Sequence, residues 1–149
     1  MSEIKSRLTT DIKTAMKSGD KPRLAVLRLI SSAVKQREVD ERLDTDDSAM
    51  IQILDKMAKQ RRESIEQFES AERQDLADAE MAELAIIQDY LPAQLSDSEI
   101  DTLINDAISA TGAESIRDMG KVMGTLKPQL QGRADMSAVS ARIKDRLNA

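Results

Sequence analysis

The chain has 149 residues, a third of them charged, a net charge of −5, and neither cysteine nor histidine. This excludes disulfides, thiolate nucleophiles, cysteine- or histidine-based metal centres and imidazole bases, so no metal site or cofactor is expected. Phe68 and Tyr90 are the only aromatic residues, which leaves leucine, isoleucine, alanine and methionine to fill the core, and those residues favour helices.

Helical spacing of Ile4, Leu8, Ile12 and Ala15 predicts a first helix over Glu3 to Lys17, stopped at Ser18-Gly19. Asp20 is a cap for the second helix, with Pro22 in its first turn. Leu24, Leu27, Ile30 and Val34 carry that helix to about Glu38, and the acidic EVDERLDTDD reads as a loop. A long helix then starts near Asp47 and runs through Met50, Leu54, Met57, Ile65 and Phe68, with a break near Arg73-Gln74. A further helix with Leu76, Met81, Leu84 and Ile87 ends at Tyr90-Leu91-Pro92.

YLPAQLSDSE marks a boundary. It separates an N-terminal helical domain, 1–92, from a C-terminal three-helix domain, 93–149. Ser96 and Glu99 form a capping box for a helix with Ile100, Leu103, Ile104 and Ile108 on one face, which ends at Gly112. The next helix is expected to turn Ile116, Met119, Met123 and Leu126 inward and to end at Pro128 and Gly132. Asp135 caps the last one, with a stripe of Met136, Val139, Ile143 and Leu147. The fold class is all-α. No uncharged apolar run exceeds four residues, which predicts a soluble cytoplasmic protein with no membrane-spanning helix.

Charge is unevenly spread. Residues 1–37 hold nine Lys/Arg against three Asp/Glu, and residues 115–149 hold seven against three, while 38–47 hold six acids and one arginine. Solvated helix faces are the plain reading of such runs. The stretch MGKVMGTLKPQLQGRADMSAV, Met119 to Val139, is the most distinctive in the chain. It is not a phosphate-binding P-loop, because no Lys-Ser/Thr pair follows the glycines and no strand precedes them. Glycine costs roughly 1 kcal/mol inside a helix, so Gly120 and Gly124 call for a close approach, by a neighbouring helix or by a nucleic-acid backbone. Gly132 suits a turn with positive φ. Lys121, Lys127 and Arg133 are candidate phosphate contacts, aided by the N–H groups opening the last helix. Pairing of Lys127 and Arg133 with Asp118, Asp135 or backbone carbonyls is the alternative. Arg142, Lys144 and Arg146 are further candidates for nucleic-acid binding.

No catalytic residue is assigned. Ser32 and Lys35 match S-x-x-K, but the accompanying motifs and an oxyanion framework are missing. Asp44, Asp46 and Asp47 lack the glycine and terminal glutamate of a calcium loop. Arg61 falls on the apolar stripe between Met57 and Ile65. It is either paired with a carboxylate such as Glu83 or, with Arg28, Lys35 and Arg62, part of an anion cleft.

MGKVMGTLKPQLQGRADMSAVS resembles the signature of the GatB/YqeY tail domain. KPRLAVLRLISSAVKQREV, DKMAKQRRESIEQF and ELAIIQDYLPAQLSDSEI resemble the N-terminal half of free-standing YqeY-like proteins in order and spacing. The resemblance implies a two-domain all-α protein. The tail domain it shares closes the B subunit of glutamine-dependent aminoacyl-tRNA amidotransferase and contacts tRNA there. It further implies association with carbon–nitrogen ligase activity using glutamine as amide donor. The chain shows no nucleotide-activation domain, so a tRNA-linked, non-catalytic binding module is expected. Structured RNA such as tRNA, or amidotransferase and tRNA-synthesis proteins, would be its partners. The alternatives are a protein-interaction adaptor and a ligase-associated subunit.

Overall fold

In the computed structural model, which describes residues 2–148, every regular element among the described residues is helical. The chain divides into two compact units, Met1–Pro92 and Ala93–Ala149.

The first unit holds α1 (Glu3–Ser18), α2 (Lys21–Glu41), α3 (Asp47–Ser70) and α4 (Gln74–Gln88). Ser2, Asp20 and Asp46 each accept a backbone N–H three residues on, satisfying donors that a helix leaves open at its start. Gly19 ends α1 at φ 72°, where a Cβ would be strained. Leu27, Ile30, Met50, Leu54 and Ile87 are fully buried, each worth about 1.5–3 kcal/mol in apolar transfer. The C-terminal end of α4 is clasped onto α1 and α2. Tyr90, 3% exposed, donates its hydroxyl to Asp11, and the Arg7 guanidinium lies 4.4 Å from its ring centroid. Asp89 accepts from Arg7 at 2.8 Å and pairs with Arg23 at 3.5 Å. Burial, then the hydrogen bond to Asp11, push the Tyr90 phenol well above its ordinary pKa.

The second unit holds α5 (Asp97–Thr111), a 3-10 turn (Ile116–Asp118), α6 (Met119–Leu130) and α7 (Met136–Asn148). The Ser96–Glu99 capping box is present, and Gly112 ends α5 in the left-handed region. Ile104, Val122, Leu126, Leu130, Val139 and Ile143 form the centre of the core. Gly132, at φ 77°, is buried in the α6–α7 turn. That turn is tied to the start of the unit. Gln94 Nε2 donates to the Gly132 carbonyl at 2.8 Å, the Leu95 N–H to the Arg133 carbonyl at 2.9 Å, and Arg133 Nε to the Ala93 carbonyl at 3.1 Å.

Three local expectations are corrected. The second helix does not stop at Glu38 but runs to Glu41, because Arg37 reaches Glu41 at 3.1 Å and bonds the Ala49 carbonyl and Gln52 on α3. Pro128 does not end α6; it lies inside the last turn, and the helix runs on to Leu130. Proline costs about 3 kcal/mol in a helix interior, and the complete burial of Leu130 offsets most of that. The inward face of α6 is Val122, Leu126 and Leu130, with Met119 and Met123 only half-buried and Ile116 40% exposed.

Candidate nucleic-acid interface

Helix α6 is positioned by its entry. Ser115 accepts the Arg117 N–H, and Asp118 accepts the N–H groups of Glu114 and Ser115, which hold its carboxyl below the usual carboxylate range. With Val122, Leu126 and Leu130 turned inward, Gly120, Lys121, Gly124, Thr125, Lys127 and Pro128 are all left exposed. A Cβ built on Gly120 or Gly124 meets no atom within 4 Å. Among the described residues no neighbouring helix makes the close approach that was one of the two expected at these glycines. They form an open, side-chain-poor strip on the outer face of the helix.

Pro128 adds a second feature to that strip. Having no N–H, it cannot donate to the carbonyl of Gly124 one turn earlier. The exposed face thus pairs a glycine with a carbonyl that lacks its usual helical donor. The glycine-to-proline spacing of four is the signal for this in the sequence.

The six cations expected to contact phosphate separate into free and engaged groups. Lys127 and Lys144 are exposed and make no side-chain hydrogen bond or ion pair among the described residues, and Lys121 is exposed within electrostatic reach of Asp118. Arg142 and Arg146 are committed to α5. Arg142 meets Asp97 at 2.6 Å and Asp101 at 3.3 Å, and Arg146 meets Asp101 at 3.1 Å and Asn105. These pairs tie α7 to α5, which the expectation of six phosphate contacts did not foresee. Arg133 is half-buried, with its Nε on the Ala93 carbonyl. The opening of α7 is not vacant either, since the Asp135 carboxylate already accepts the Ser137 N–H.

In the first unit the anion cleft does not assemble around Arg61. Its Nε lies 2.7 Å from Glu83 and 3.5 Å from Glu80, and its side chain is 17% exposed, so the paired reading holds for this residue. Arg62 is half-buried and engaged as well. Arg28 and Lys35 instead project from the outside of α2, as does Ser32. Among the described residues no group of three or more acidic side chains is arranged to hold a metal ion.

The sequence matches the profile of the family described as "Yqey-like protein" over residues 5–147. It is 35% identical over 147 residues to "Altered inheritance of mitochondria protein 41, mitochondrial" of Pyrenophora tritici-repentis, covering 96% of this chain and 80% of that protein. The like-named protein of Lachancea thermotolerans is 30% identical, covering 93% of this chain and 78% of its own length. That of Saccharomyces cerevisiae is 28% identical, covering 81% and 69%. The relatives' names describe those proteins as mitochondrial. No helix among the described residues is long and apolar enough to cross a membrane. With the match running through both helical units, the chain belongs to the YqeY-like family.

Proposed function

We propose that the protein is a binding module without a catalytic centre of its own, and that its second unit contacts tRNA or another structured RNA through the outer face of α6. The observation that carries this reading is the open strip of Gly120 and Gly124 flanked by the exposed Lys121 and Lys127. Two glycines on the exposed face of a helix lower its stability, and no described residue packs against them. A ligand backbone lying against the strip would use the absence of side chains. The lysines would contact phosphates, and the Gly124 carbonyl is an acceptor for a ribose 2′-hydroxyl, the group that separates RNA from DNA. Lys144 and Arg133 would add charge from α7 and from the α6–α7 turn. The chain has no aromatic residue in this unit to stack on unpaired bases, which favours a duplex backbone over a single strand. Any link to glutamine-dependent amide transfer would then run through a partner enzyme. The relatives' names add a mitochondrial setting, which this reading adopts.

The test is binding of fluorescently labelled tRNA, followed by anisotropy over a salt series, with a Lys121→Gln/Lys127→Gln variant. Neither lysine side chain makes a hydrogen bond or ion pair among the described residues, so the variant is expected to keep its structure. Wild type is expected to bind with a steep salt dependence, and the variant to lose affinity and about two units of the log–log slope. Absence of binding by wild type at low salt refutes the reading.

A second reading is a protein-interaction adaptor, docking an amidotransferase or another tRNA-synthesis protein. It is favoured by a groove of about 540 Å³ between α2 and α3, floored by Ala33, Ile53 and Met57, and by the exposure of Val39 and Leu43. Wild-type RNA affinity in the lysine variant, together with a partner captured through this groove, supports it.

A further inference from the structure

The cations of the first unit divide by partner. Lys5 pairs with Glu38 at 2.5 Å, Arg7 with Asp89 and Asp11, Arg23 with Asp89, Arg37 with Glu41 and Arg61 with Glu83. Lys13, Lys17, Lys21, Arg28, Lys35, Arg42, Lys56 and Lys59 are exposed and make no ion pair or side-chain hydrogen bond among the described residues. The first five lie on α1 and α2, on either side of the turn at Gly19-Asp20.

Three of them form a row. Lys21, Arg28 and Lys35 are spaced by seven residues, close to two helical turns, so they lie along one side of α2 over about 21 Å. Ala25 and Ser32, both exposed, lie between them. No acid interrupts the row. On an ordinary solvated face such cations would have a carboxylate three or four residues away. Lys21 and Arg28 have none at those positions on α2, and the one beside Lys35 is Glu38, already held by Lys5 and the Thr45 N–H. The nearby Asp20 and Asp11 are also engaged, one as the cap of α2 and the other under Tyr90. In a protein of net charge −5, an unopposed row of this length is a local field that water alone does not require.

We propose that Lys21, Arg28 and Lys35 on α2, extended by Lys13 and Lys17 on α1, form a second polyanion-binding surface that takes the phosphodiester backbone of structured RNA. The row is straight, rigid and cationic, as a backbone-tracking contact needs, and the Ser32 hydroxyl between Arg28 and Lys35 is a further donor to phosphate oxygen. An anionic lipid surface is the less suitable occupant. The chain has no tryptophan, and its only Phe and Tyr, Phe68 and Tyr90, lie on α3 and beyond α4, so the row carries no interfacial aromatic anchor. The inference rests on the RNA reading above but concerns different residues, so each can fail alone.

The experiment uses the full chain, labelled tRNA and the salt-series anisotropy assay. Three proteins are compared: wild type, Lys21→Gln/Arg28→Gln/Lys35→Gln, and Lys121→Gln/Lys127→Gln. Glutamine matches lysine and arginine closely in helix propensity, and circular dichroism checks that helix content is kept. The α2 variant is expected to bind at least tenfold more weakly, with a log–log slope smaller by about three units. Wild-type affinity and slope in the α2 variant, with weakened binding by the α6 variant, overturn this inference and leave the α6 reading standing. Weakened binding by the α2 variant alone supports it and removes the α6 reading. Failure of wild type to bind tRNA, with binding to phosphatidylserine-containing vesicles lost in the α2 variant, overturns it in favour of a membrane surface.

Discussion

Replacing Gly124 by alanine is expected to stabilise the second unit and, on the RNA-binding function proposed above, to weaken tRNA binding. Gly124 lies in the interior of α6, is exposed, and has no positive φ, and an added Cβ meets nothing within 4 Å. The full difference in helix propensity between glycine and alanine, about 1 kcal/mol, should therefore appear without a packing penalty. Gly120 stands in the first turn, where the gain is smaller, about 0.5 kcal/mol. For a domain of this size 1 kcal/mol shifts Tm by about 4–8 °C. Amide hydrogen exchange at Val122, Leu126 and Leu130 assigns the effect to α6, because about 1 kcal/mol slows exchange roughly fivefold if these amides open with their unit. A Gly124→Ala protein with unchanged or faster exchange would refute the structural half of the argument, since something must then occupy the space beside the helix. Slower exchange with wild-type tRNA affinity would refute the functional half, because the strip would then have no close visitor.

Two other outcomes follow from the fold. Ile104→Ala, at a fully buried position, should cost about 3 kcal/mol, most of the stability of a small unit, and should remove exchange protection across α5, α6 and α7. Burial raises the Tyr90 pKa above the ordinary 10.0 of a phenol, so the neutral form is favoured in the folded state. Its contribution is complete below pH 10 and is lost as pH rises above it, because the unfolded chain releases the proton first. Urea titrations from pH 8 to 11 should show a steeper alkaline loss in wild type than in Tyr90→Phe, and parallel curves would contradict the assignment.

Some elements were legible because their determinants are local. Ser96 with Glu99 starts α5, Gly112 stops it, and Gly19-Asp20 separates α1 from α2, since caps and positive-φ glycines act within one turn of chain. The Arg61–Glu83 pair was legible from the placement of an arginine on an apolar stripe. The continuation of α6 past Pro128 was not legible, because proline's local preference for ending a helix is opposed by Leu130, whose burial depends on helices distant in sequence. The roles of the basic residues were not legible for the same reason. Arg142 and Arg146 are ordinary surface cations in the sequence, and only the packing of α7 beside α5 brings Asp97 and Asp101 to them.

Composition, caps and hydrophobic periodicity thus determined by themselves that this chain is helical, where most of its helices begin, and which chemistries it lacks. Tertiary structure decided which face of α6 turns inward, which cations are neutralised, and that Gly120 and Gly124 face open space. The division has a physical origin. Helix starts and stops are set by interactions within a few residues, whereas burial and ion pairing depend on side chains brought together from far apart, as Arg142 and Asp97 are across 45 residues.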